Sequence, residues 1–417
     1  SIMVSAGMQG SARLTSSSLT TRFVSGVATA DVGTSTIGVG NVGVTNAVYG
    51  LTGENMVLIP DQTEVVSGNV VRTPGAGFQQ PHENLTGEDT YFVDFTTAMV
   101  QPSILTSGAR TTRLVAGGTQ LNGYVGGLAE VSLAGGSFPG IDGSISNANN
   151  LPTDFVIETN ATTNRIGGSA NMTIGGDNYN IALGSLTGSN SGHGAFINDE
   201  LFAMRNNAND ALSSFNGSNT ATRSRVFMVS HDVVGVASSA IPEGVNLCTT
   251  CNFMSWGWWV ADVRHDTGPT AGQRDRVHLA TWVAGTLPSL TEVAGVTGTA
   301  SYSGHAIGNV NNEGSRYVAI GNFTKTWDFG ARTGAATISN FDSKNVNFTT
   351  GSSNGRDFTG TLNASGTTSG VNAAALAGSF FKGAGDPVKG AAGNFAFTAG
   401  GSYQASGTFI ATKAGGP

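Results

Sequence analysis

Few residues of this 417-residue chain have the types and spacing that catalysis requires. Asp266-Thr267-Gly268 has the letters of an aspartic protease motif, but that chemistry needs two carboxylates sharing one proton, and the triplet occurs once. The segment Gly351–Gly355 has the letters of a nucleophile elbow, yet it joins two predicted strands instead of a strand and a helix. Both segments are therefore predicted to be turns, and we expect no catalytic residue and no enzyme activity.

The two cysteines, Cys248 and Cys251, have CxxC spacing. A disulfide is the preferred interpretation, because redox CxxC pairs begin a helix in a βαβ setting, whereas a strand is predicted after Cys251. Free thiols and a redox or metal-binding pair are the alternatives. The six histidines are scattered, with no pair at i, i+2 or i, i+4, so neither a metal site nor a cofactor is expected.

The most aromatic stretch follows the cysteines, between Phe253 and Val260. As a strand it places Trp256 and Trp258 on one face, and Phe253 and Trp259 on the other. Large side chains on both faces favour a core strand buried between two layers. The alternative is an exposed aromatic platform that contacts a ligand.

Composition indicates a β-rich extracellular protein. Charged residues make up 11% of the chain, less than half of the roughly 25% of a typical globular domain. The formal net charge is −7 and no basic cluster is present, so we expect no nucleic-acid partner. The sequence contains no run of about 18 apolar residues, so no transmembrane helix is predicted. No charged-then-apolar leader opens the chain, so Ser1 either follows a removed leader or begins a fragment.

Short alternating segments bounded by Gly, Pro and Asn predict an all-β chain in three parts. These parts are an N-terminal β-rich domain (1–115), a β-rich middle domain (116–295) and a C-terminal barrel (296–417). One short helix is expected near 199–212, because Asn198-Asp199-Glu200 precedes apolar residues at helical spacing. Lysine is absent before Lys325, a shift in composition that favours a boundary near residue 295.

The segment from Gly298 to Lys413 predicts about eight antiparallel strands joined by turns rich in Gly and Asn. Short turns favour up-and-down order, and closure into a barrel would remove both sheet edges. Phe, Val, Leu, Ile and Ala at the inward positions indicate an interior filled by side chains.

The end of the chain also resembles a known family. The similar segments are Gly378-Ser-Phe-Phe381, Gly390-Ala-Ala-Gly-Asn-Phe395, Tyr403-Gln-Ala-Ser-Gly-Thr-Phe-Ile-Ala-Thr-Lys413 and the opening strand Gly298–His305. Over roughly residues 298–413 they resemble the C-terminal β-barrel of transferrin-binding-protein-B-like bacterial surface proteins. The resemblance implies a surface barrel at the bacterial outer surface. The host-protein-binding loops of that family belong to another region, so the resemblance does not imply transferrin binding.

Low charge and many small polar side chains are typical of proteins that assemble on cell surfaces. The leading hypothesis is a non-enzymatic extracellular structural protein that self-assembles with other copies into a filament or surface layer. The stretch Ser1–Thr21 is either an extended arm that adds a strand to a neighbour or an edge strand of its own domain. Its candidate contact residues are Ser1, Ile2, Met3, Val4 and Leu14. The alternative function is a monomeric surface receptor or adhesin, which binds a protein or small ligand near the aromatic stretch.

Overall fold

A computed structural model describes residues 19–24, 27–32, 35–44, 57–58, 62–66, 69–73, 78–79, 105–107, 120–132, 140–160, 165–184, 186, 193–196, 202–207, 214–215, 222–231, 234–236, 238–265 and 274–415. These residues are predominantly β-strand, as the sequence predicts. The predicted assembly arm Ser1–Thr21 lies almost wholly outside them, and so does Asp266-Thr267-Gly268. No helix in the described ranges is long and apolar enough to cross a membrane.

The first described strands are short. They are β1 (Leu19–Val24), β2 (Val27–Val32), β3 (Ser35–Val44), β4 (Val57–Leu58), β5 (Gln62–Val66), β6 (Asn69–Thr73), β7 (Phe78–Gln79) and β8 (Leu105–Ser107). Five of them form a sheet in the order β1-β2-β3-β5-β6, and β4 pairs with β7.

A second group of strands forms one large antiparallel sheet. Its strands are β9 (Gln120–Ser132), β10 (Gly140–Asn147), β11 (Phe155–Asn160), β12 (Arg165–Ile174), β13 (Asp177–Gly184), β14 (His193–Phe196), β15 (Phe202–Asn207), β16 (Ser214–Phe215), β17 (Thr222–Ser230), β19 (Met254–His265) and β20 (Arg274–Gly285). The order is β14-β15-β17-β19-β20-β9-β10-β12-β13-β16, with β11 inserted between β9 and β12. Strand β18 (Val234–Val236) pairs with β8, and short 3₁₀ helices occupy Pro152–Asp154 and Ser238–Ala240.

The helix expected near 199–212 is not where the sequence places it. Phe202–Asn207 is strand β15, paired with β17 in register from Phe202↔Val229 to Asn207↔Ser224. Sheet pairing supplies partners for the whole backbone of this segment, and it overrides the helical spacing of the apolar residues. The described α-helix is α1 (Leu290–Ala294), which connects the sheet to the barrel.

The C-terminal strands close into an eight-stranded up-and-down barrel, as predicted. They are β21 (Thr299–Asn312), β22 (Ser315–Asp328), β23 (Thr333–Phe341), β24 (Lys344–Gly351), β25 (Asp357–Asn363), β26 (Val371–Gly383), β27 (Asp386–Ala399) and β28 (Tyr403–Lys413). Each strand pairs with the next in the chain, and β28 pairs with β21 from Tyr302↔Lys413 to Asn311↔Gln404. Closure leaves no free strand edge in this part of the chain.

Aromatic side chains fill the barrel interior. Phe380 lies at the centre of one cluster, with ring centroids 5.2–5.5 Å from those of Tyr302, Trp327, Phe329 and Phe358. All five side chains are buried. Their packing at this density leaves the barrel as a solid core, which agrees with the expected filled interior.

Helix α1 joins the sheet to the barrel core. Ser289 caps its first turn, because its Oγ accepts a hydrogen bond from the Glu292 N–H while the Glu292 carboxylate accepts one from the Ser289 N–H. Val293 is buried in the same hydrophobic cluster as the barrel interior. Lys382 of β26 forms an ion pair with Glu292 at 2.7 Å, so the connecting helix is held against the barrel.

Candidate functional site

Polar residues on the outer wall of the barrel are buried where the large sheet packs on it. On β21, Ala306 and Val310 belong to the interior cluster, so His305 and Asn309 face outward by strand alternation. Buried outward-facing polar residues of the barrel include His305, Asn309, Ser379, Asn394, Ser406 and Thr408. We call the contact between the last five of these residues and Tyr124–Leu128 and Thr281 of the sheet the seam.

Two backbone N–H groups of β9 donate to barrel side chains across the seam. The Gly127 N–H donates to Ser406 Oγ at 3.2 Å, and the Leu128 N–H donates to Asn309 Oδ1 at 3.1 Å. Both bonds are buried. Because a buried backbone donor without a partner costs about as much as a lost hydrogen bond, these two side chains stabilise β9 directly.

Side chains from both sides complete the seam. Asn394 Nδ2 of the barrel donates to the Val125 carbonyl at 3.0 Å. The hydroxyls of Thr408 and Thr281 are hydrogen-bonded at 2.9 Å, and Thr281 Oγ1 also donates to the Ile307 carbonyl at 3.3 Å. The sheet therefore sits on the barrel through several specific polar contacts in addition to apolar packing.

A charged group lies at one end of the seam. Tyr124 OH is 2.8 Å from Ser379 Oγ, and Ser379 Oγ donates to Asp357 Oδ1 at 2.7 Å. Because the Ser379 proton is used on Asp357, the Tyr124 hydroxyl is the donor to Ser379. Burial raises the pKa of Tyr124 well above its ordinary value, which keeps this hydroxyl protonated.

Asp357 stays ionised although it is largely buried. Burial alone would raise the pKa of its carboxyl, but hydrogen bonds from Arg356, Ser379 and Asn354 outweigh that effect and hold the pKa below its ordinary value. Arg356 contacts both carboxylate oxygens at 2.8 Å. The Asp357 charge is thus neutralised by Arg356. The network has a structural role, because it links the barrel to Tyr124 of the sheet.

Backbone atoms of the large sheet and of the barrel are also in close contact. A Cβ atom added to Gly126 of β9 would lie 2.2 Å from the Gly407 carbonyl oxygen on the barrel. Only a residue without a side chain allows this approach. Glycine at position 126 therefore permits the strand to lie directly on the barrel wall.

A segment of residues 241–253, which we call the strap, is bound to the barrel next to the seam. Asn322 of β22 donates from Nδ2 to the Gly244 carbonyl at 2.8 Å and accepts at Oδ1 from the Asn246 N–H at 3.1 Å. Val245, between these two contacts, is buried. The side chain of Asn322 therefore bonds the strap as a neighbouring strand would.

The strap contains the two cysteines, and the structure joins Cys248 and Cys251 in a disulfide. The Cys248 N–H donates to Nδ1 of His305 at 2.9 Å. Burial, with a smaller effect of nearby His231, lowers the pKa of His305 to about 3. His305 is consequently neutral at physiological pH, and its unprotonated Nδ1 accepts the bond that fixes the strap.

The aromatic candidates are core residues. Trp256, Trp258 and Trp259 are 3%, 1% and 3% exposed, and Phe253 is half-buried. Trp256 stacks on His231 with ring centroids 4.4 Å apart and meets the His305 ring edge-on at 4.8 Å. These low exposures support the core-strand interpretation, because the buried tryptophan side chains are inaccessible to a ligand.

A cleft of about 340 Å³ opens beside the seam. The sheet contributes Leu128, Gly143 and Ser144, and the barrel contributes residues of β26, β27 and β28. The barrel residues that line it are Ala373, Ala374, Ala375, Ala396, Phe397, Thr398, Gln404 and Ala405. None of the lining residues is ionisable, so the cleft suits an uncharged, largely apolar group.

Lys325 lies inside the barrel at 1% exposure. Its ammonium nitrogen donates to Thr350 Oγ1 at 2.8 Å and lies 4.2 Å and 4.0 Å from the ring centroids of Trp327 and Phe358. Burial lowers the pKa of Lys325 to about 7. The cation–π contacts offset part of the cost of holding an amine in this interior.

The segment Gly351–Gly355 is a turn between β24 and β25, as predicted. Ser352 Oγ accepts from the Gly355 N–H at 2.7 Å, and Asn354 Oδ1 accepts from the Asp357 N–H at 2.8 Å. The Ser352 hydroxyl and the Asn354 side chain therefore stabilise the turn. In the part of the chain that the structure describes, no three His, Cys, Asp or Glu side chains are grouped as metal ligands.

The sequence alone does not predict the seam. Asn309, Ser379 and Ser406 alternate with inward apolar residues as solvent-facing residues would, and nothing in their spacing distinguishes the two situations. Glycine at positions 126 and 407 is a weak signal of close backbone approach. The chain is too rich in glycine for that signal to identify a site.

Comparison with solved structures finds transferrin-binding protein B among the matches. The chain is similar to intact Ap-TbpB with its N and C lobes (12% identity, 78% of this chain and 83% of that chain, TM-score 0.29). It is also similar to transferrin-binding protein B from Haemophilus parasuis Hp5 (12%, 86% and 83%, 0.27) and from serogroup B Neisseria meningitidis (13%, 85% and 84%, 0.25). No family model and no curated protein matches the chain. The family named by these structures is the one that the C-terminal motifs resemble.

Proposed function

We propose that the chain is a non-enzymatic receptor, secreted or on a bacterial surface, which binds a protein ligand at the junction of sheet and barrel. The observation that carries the proposal is the uncharged cleft beside the seam, which both units line. Clefts of a few hundred Å³ at the interface of two units are common binding places.

The filled barrel interior directs recognition to the outer surface. Phe380 and its aromatic neighbours occupy the space in which a small ligand would sit in an eight-stranded barrel. A partner must then contact the outside of the molecule, and a protein can combine an apolar anchor in the cleft with contacts around it.

An extracellular location suits the disulfide in the strap. Disulfides persist in oxidising compartments and are rare in the reducing cytosol. The Cys248–Cys251 bond lies beside the contact that fixes the strap to His305. We therefore place the receptor outside the cytoplasm, on the bacterial outer surface or in the medium.

Self-assembly into a filament or surface layer stays a prediction with less support. The candidate arm residues Ser1, Ile2, Met3, Val4 and Leu14 lie outside the described residues. The closed barrel offers no edge to which a neighbouring strand could be added. A second copy is accordingly one outcome of the test below.

Site-specific photo-crosslinking tests the proposal. A benzophenone amino acid replaces Thr398, an exposed residue of the cleft, in the full chain. The chain is then illuminated with transferrin, the ligand named by the similar structures, and separately with a mixture of extracellular proteins. We expect a crosslink to a protein other than the chain itself, and a crosslink only between copies would favour assembly.

Two arginine variants supply the matched control. Ala375→Arg places a charge in the cleft, and Ala335→Arg places the same charge on β23, another exposed alanine of the barrel wall. We expect Ala375→Arg to lower the crosslink yield at least tenfold and Ala335→Arg to leave it unchanged. Equal yields in the two variants, or no crosslinked protein at Thr398, would contradict a ligand site in the cleft.

A further inference from the structure

Strand β9 is irregular where it crosses the barrel. Its register with β20 shifts between Ala129↔Val277 and Gly126↔Thr281, so three residues of β20 oppose two residues of β9. Gly127 has a φ of 138° within this bulge. A bulge leaves backbone groups outside the regular ladder and bends the strand.

Backbone groups in the bulge and next to it are bonded by the barrel. The donors Gly127 N and Leu128 N reach Ser406 and Asn309, which are 279 and 181 residues away in the chain. The Val125 carbonyl accepts from Asn394, which is 269 residues away. These partners belong to the barrel, so the sheet alone cannot supply these three bonds to β9.

The barrel does not depend on the sheet in the same way. Each barrel strand bonds to its chain neighbour, and the ring closes through β21 and β28. Asn309, Asn394 and Ser406 face outward, and their side chains contribute nothing to the ladders of the barrel. Hairpins between chain neighbours also form faster than contacts across hundreds of residues, because less chain entropy is lost in closing them.

We propose that the barrel is the folding template of the sheet: it closes first, and its outer residues Asn309, Asn394 and Ser406 then fix the bulge of β9. The bulge sets the curvature of β9, the strand to which β10, β11 and β20 are paired. The shape of the sheet therefore depends on a surface encoded at the other end of the chain. This inference is independent of any ligand of the cleft.

Pulse-labelled hydrogen exchange during refolding of the full, disulfide-intact chain tests the order of events. Peptides that cover 374–381 and 391–397 report on the barrel, and a peptide that covers 123–129 reports on the bulge. We expect the barrel peptides to be protected first and the bulge peptide in a later phase. Protection of 123–129 before the barrel, or in one phase with it, would overturn the proposal.

A double variant, Asn309→Ala with Ser406→Ala, tests the same idea in the native state. We expect exchange in the 123–129 peptide to accelerate at least tenfold, while 374–381 keeps its rate. Thr361→Ala, an exposed change on β25, is the control and should alter neither peptide. Unchanged exchange at 123–129, or equal acceleration in the barrel peptide, would contradict the template. The refolding measurement on the unaltered chain decides the matter if the double variant fails to fold.

Discussion

The barrel and the large sheet are both antiparallel, yet they solve the problem of unpaired backbone in different ways. The barrel bonds every strand to a chain neighbour and closes on itself around a solid aromatic core. The sheet is open, contains the interrupted strand β9 and relies on side chains of the barrel for part of its backbone bonding. The barrel thus completes its own strand ladder, whereas part of β9 is bonded by the barrel.

The same strands of the barrel form its core and also bind the sheet and the strap. Alternation sends Ala306 and Val310 of β21 into the core, while His305 and Asn309 bind the strap and the sheet. Period-two geometry thus allows one strand to stabilise two units with independent sets of residues. Changes on the two faces should consequently have separable effects, and this is the basis of the predictions below.

The largest effect is expected inside the barrel, from Phe380→Ala. The substitution removes a ring that contacts four other aromatic residues. We expect a loss of about 4 kcal/mol in the free energy of unfolding, measured by chemical denaturation. Because the sheet depends on the barrel, both units should unfold in one transition at lower denaturant. A sheet that keeps its native exchange protection after the barrel unfolds would contradict the dependence.

Gly126→Val tests the seam from the sheet side. The added atoms meet the Gly407 backbone, which cannot move aside as a flexible side chain would. We expect a loss of roughly 3 kcal/mol, confined to the sheet, so that exchange accelerates at 123–129 and stays slow in the barrel. Gly400→Ala, at a turn where a Cβ meets no atom within 4 Å, is the control and should have little effect.

Lys325→Met should stabilise the barrel by roughly 2 kcal/mol at pH 7, since it replaces a costly buried amine by an apolar chain of similar length. The pKa of Lys325 is about 7 in the folded chain, against 10.5 ordinarily. Between these values the unfolded chain binds more protons than the folded chain, so the unfolding free energy of the unaltered chain rises with pH.

The gain from Lys325→Met should therefore be largest near pH 7 and shrink as pH approaches 10. Denaturation of both proteins across this pH range measures it. Lys389→Met, at a partly exposed lysine of β27, is the matched control for loss of a charge. A gain that is the same at both ends of the range would show that the interior does not hold a neutral amine.

The smallest effect is expected from Ser379→Ala at the charged end of the seam. The change leaves the Tyr124 hydroxyl without its acceptor and Asp357 without one of its donors. We expect a loss of about 1.5 kcal/mol, detected as faster exchange at Tyr124 and its neighbours with the barrel unchanged. Ser339→Ala, at a less buried serine of β23, is the control and should leave hydrogen exchange unchanged both near Tyr124 and in the barrel.

The barrel could be predicted from sequence because its structure is local. Apolar and polar residues alternate in much of its sequence, and turns such as Asn311–Gly314 and Gly400-Gly401 separate the strands. The strand whose start is hardest to locate from sequence is β27 (Asp386–Ala399). The residues Gly390–Gly393 are all Gly or Ala, so alternation between large and small residues gave no signal there.

The site could not be predicted, because it depends on contacts between distant parts of the chain. Phe202 and Met204 have helical spacing with their neighbours, and only the partner strand β17 shows that the segment is extended. Likewise, the alternation pattern predicts that Asn309 faces solvent. Only the packing of β9 on the barrel makes it a buried acceptor of the hydrogen bond from the Leu128 N–H. Patterns along a chain record which residues are apolar, but they do not record which strand will cover a polar one.

Closure of the barrel has a consequence for engineering. Because β28 pairs with β21, the start and the end of the barrel segment are adjacent, with Tyr302 opposite Lys413. A short linker between these ends would allow new termini to be opened at the exposed turn Ala384-Gly385, giving a circular permutant with the same ladders. The order of strands around the ring would be kept, while the point at which the sheet is attached would move along it.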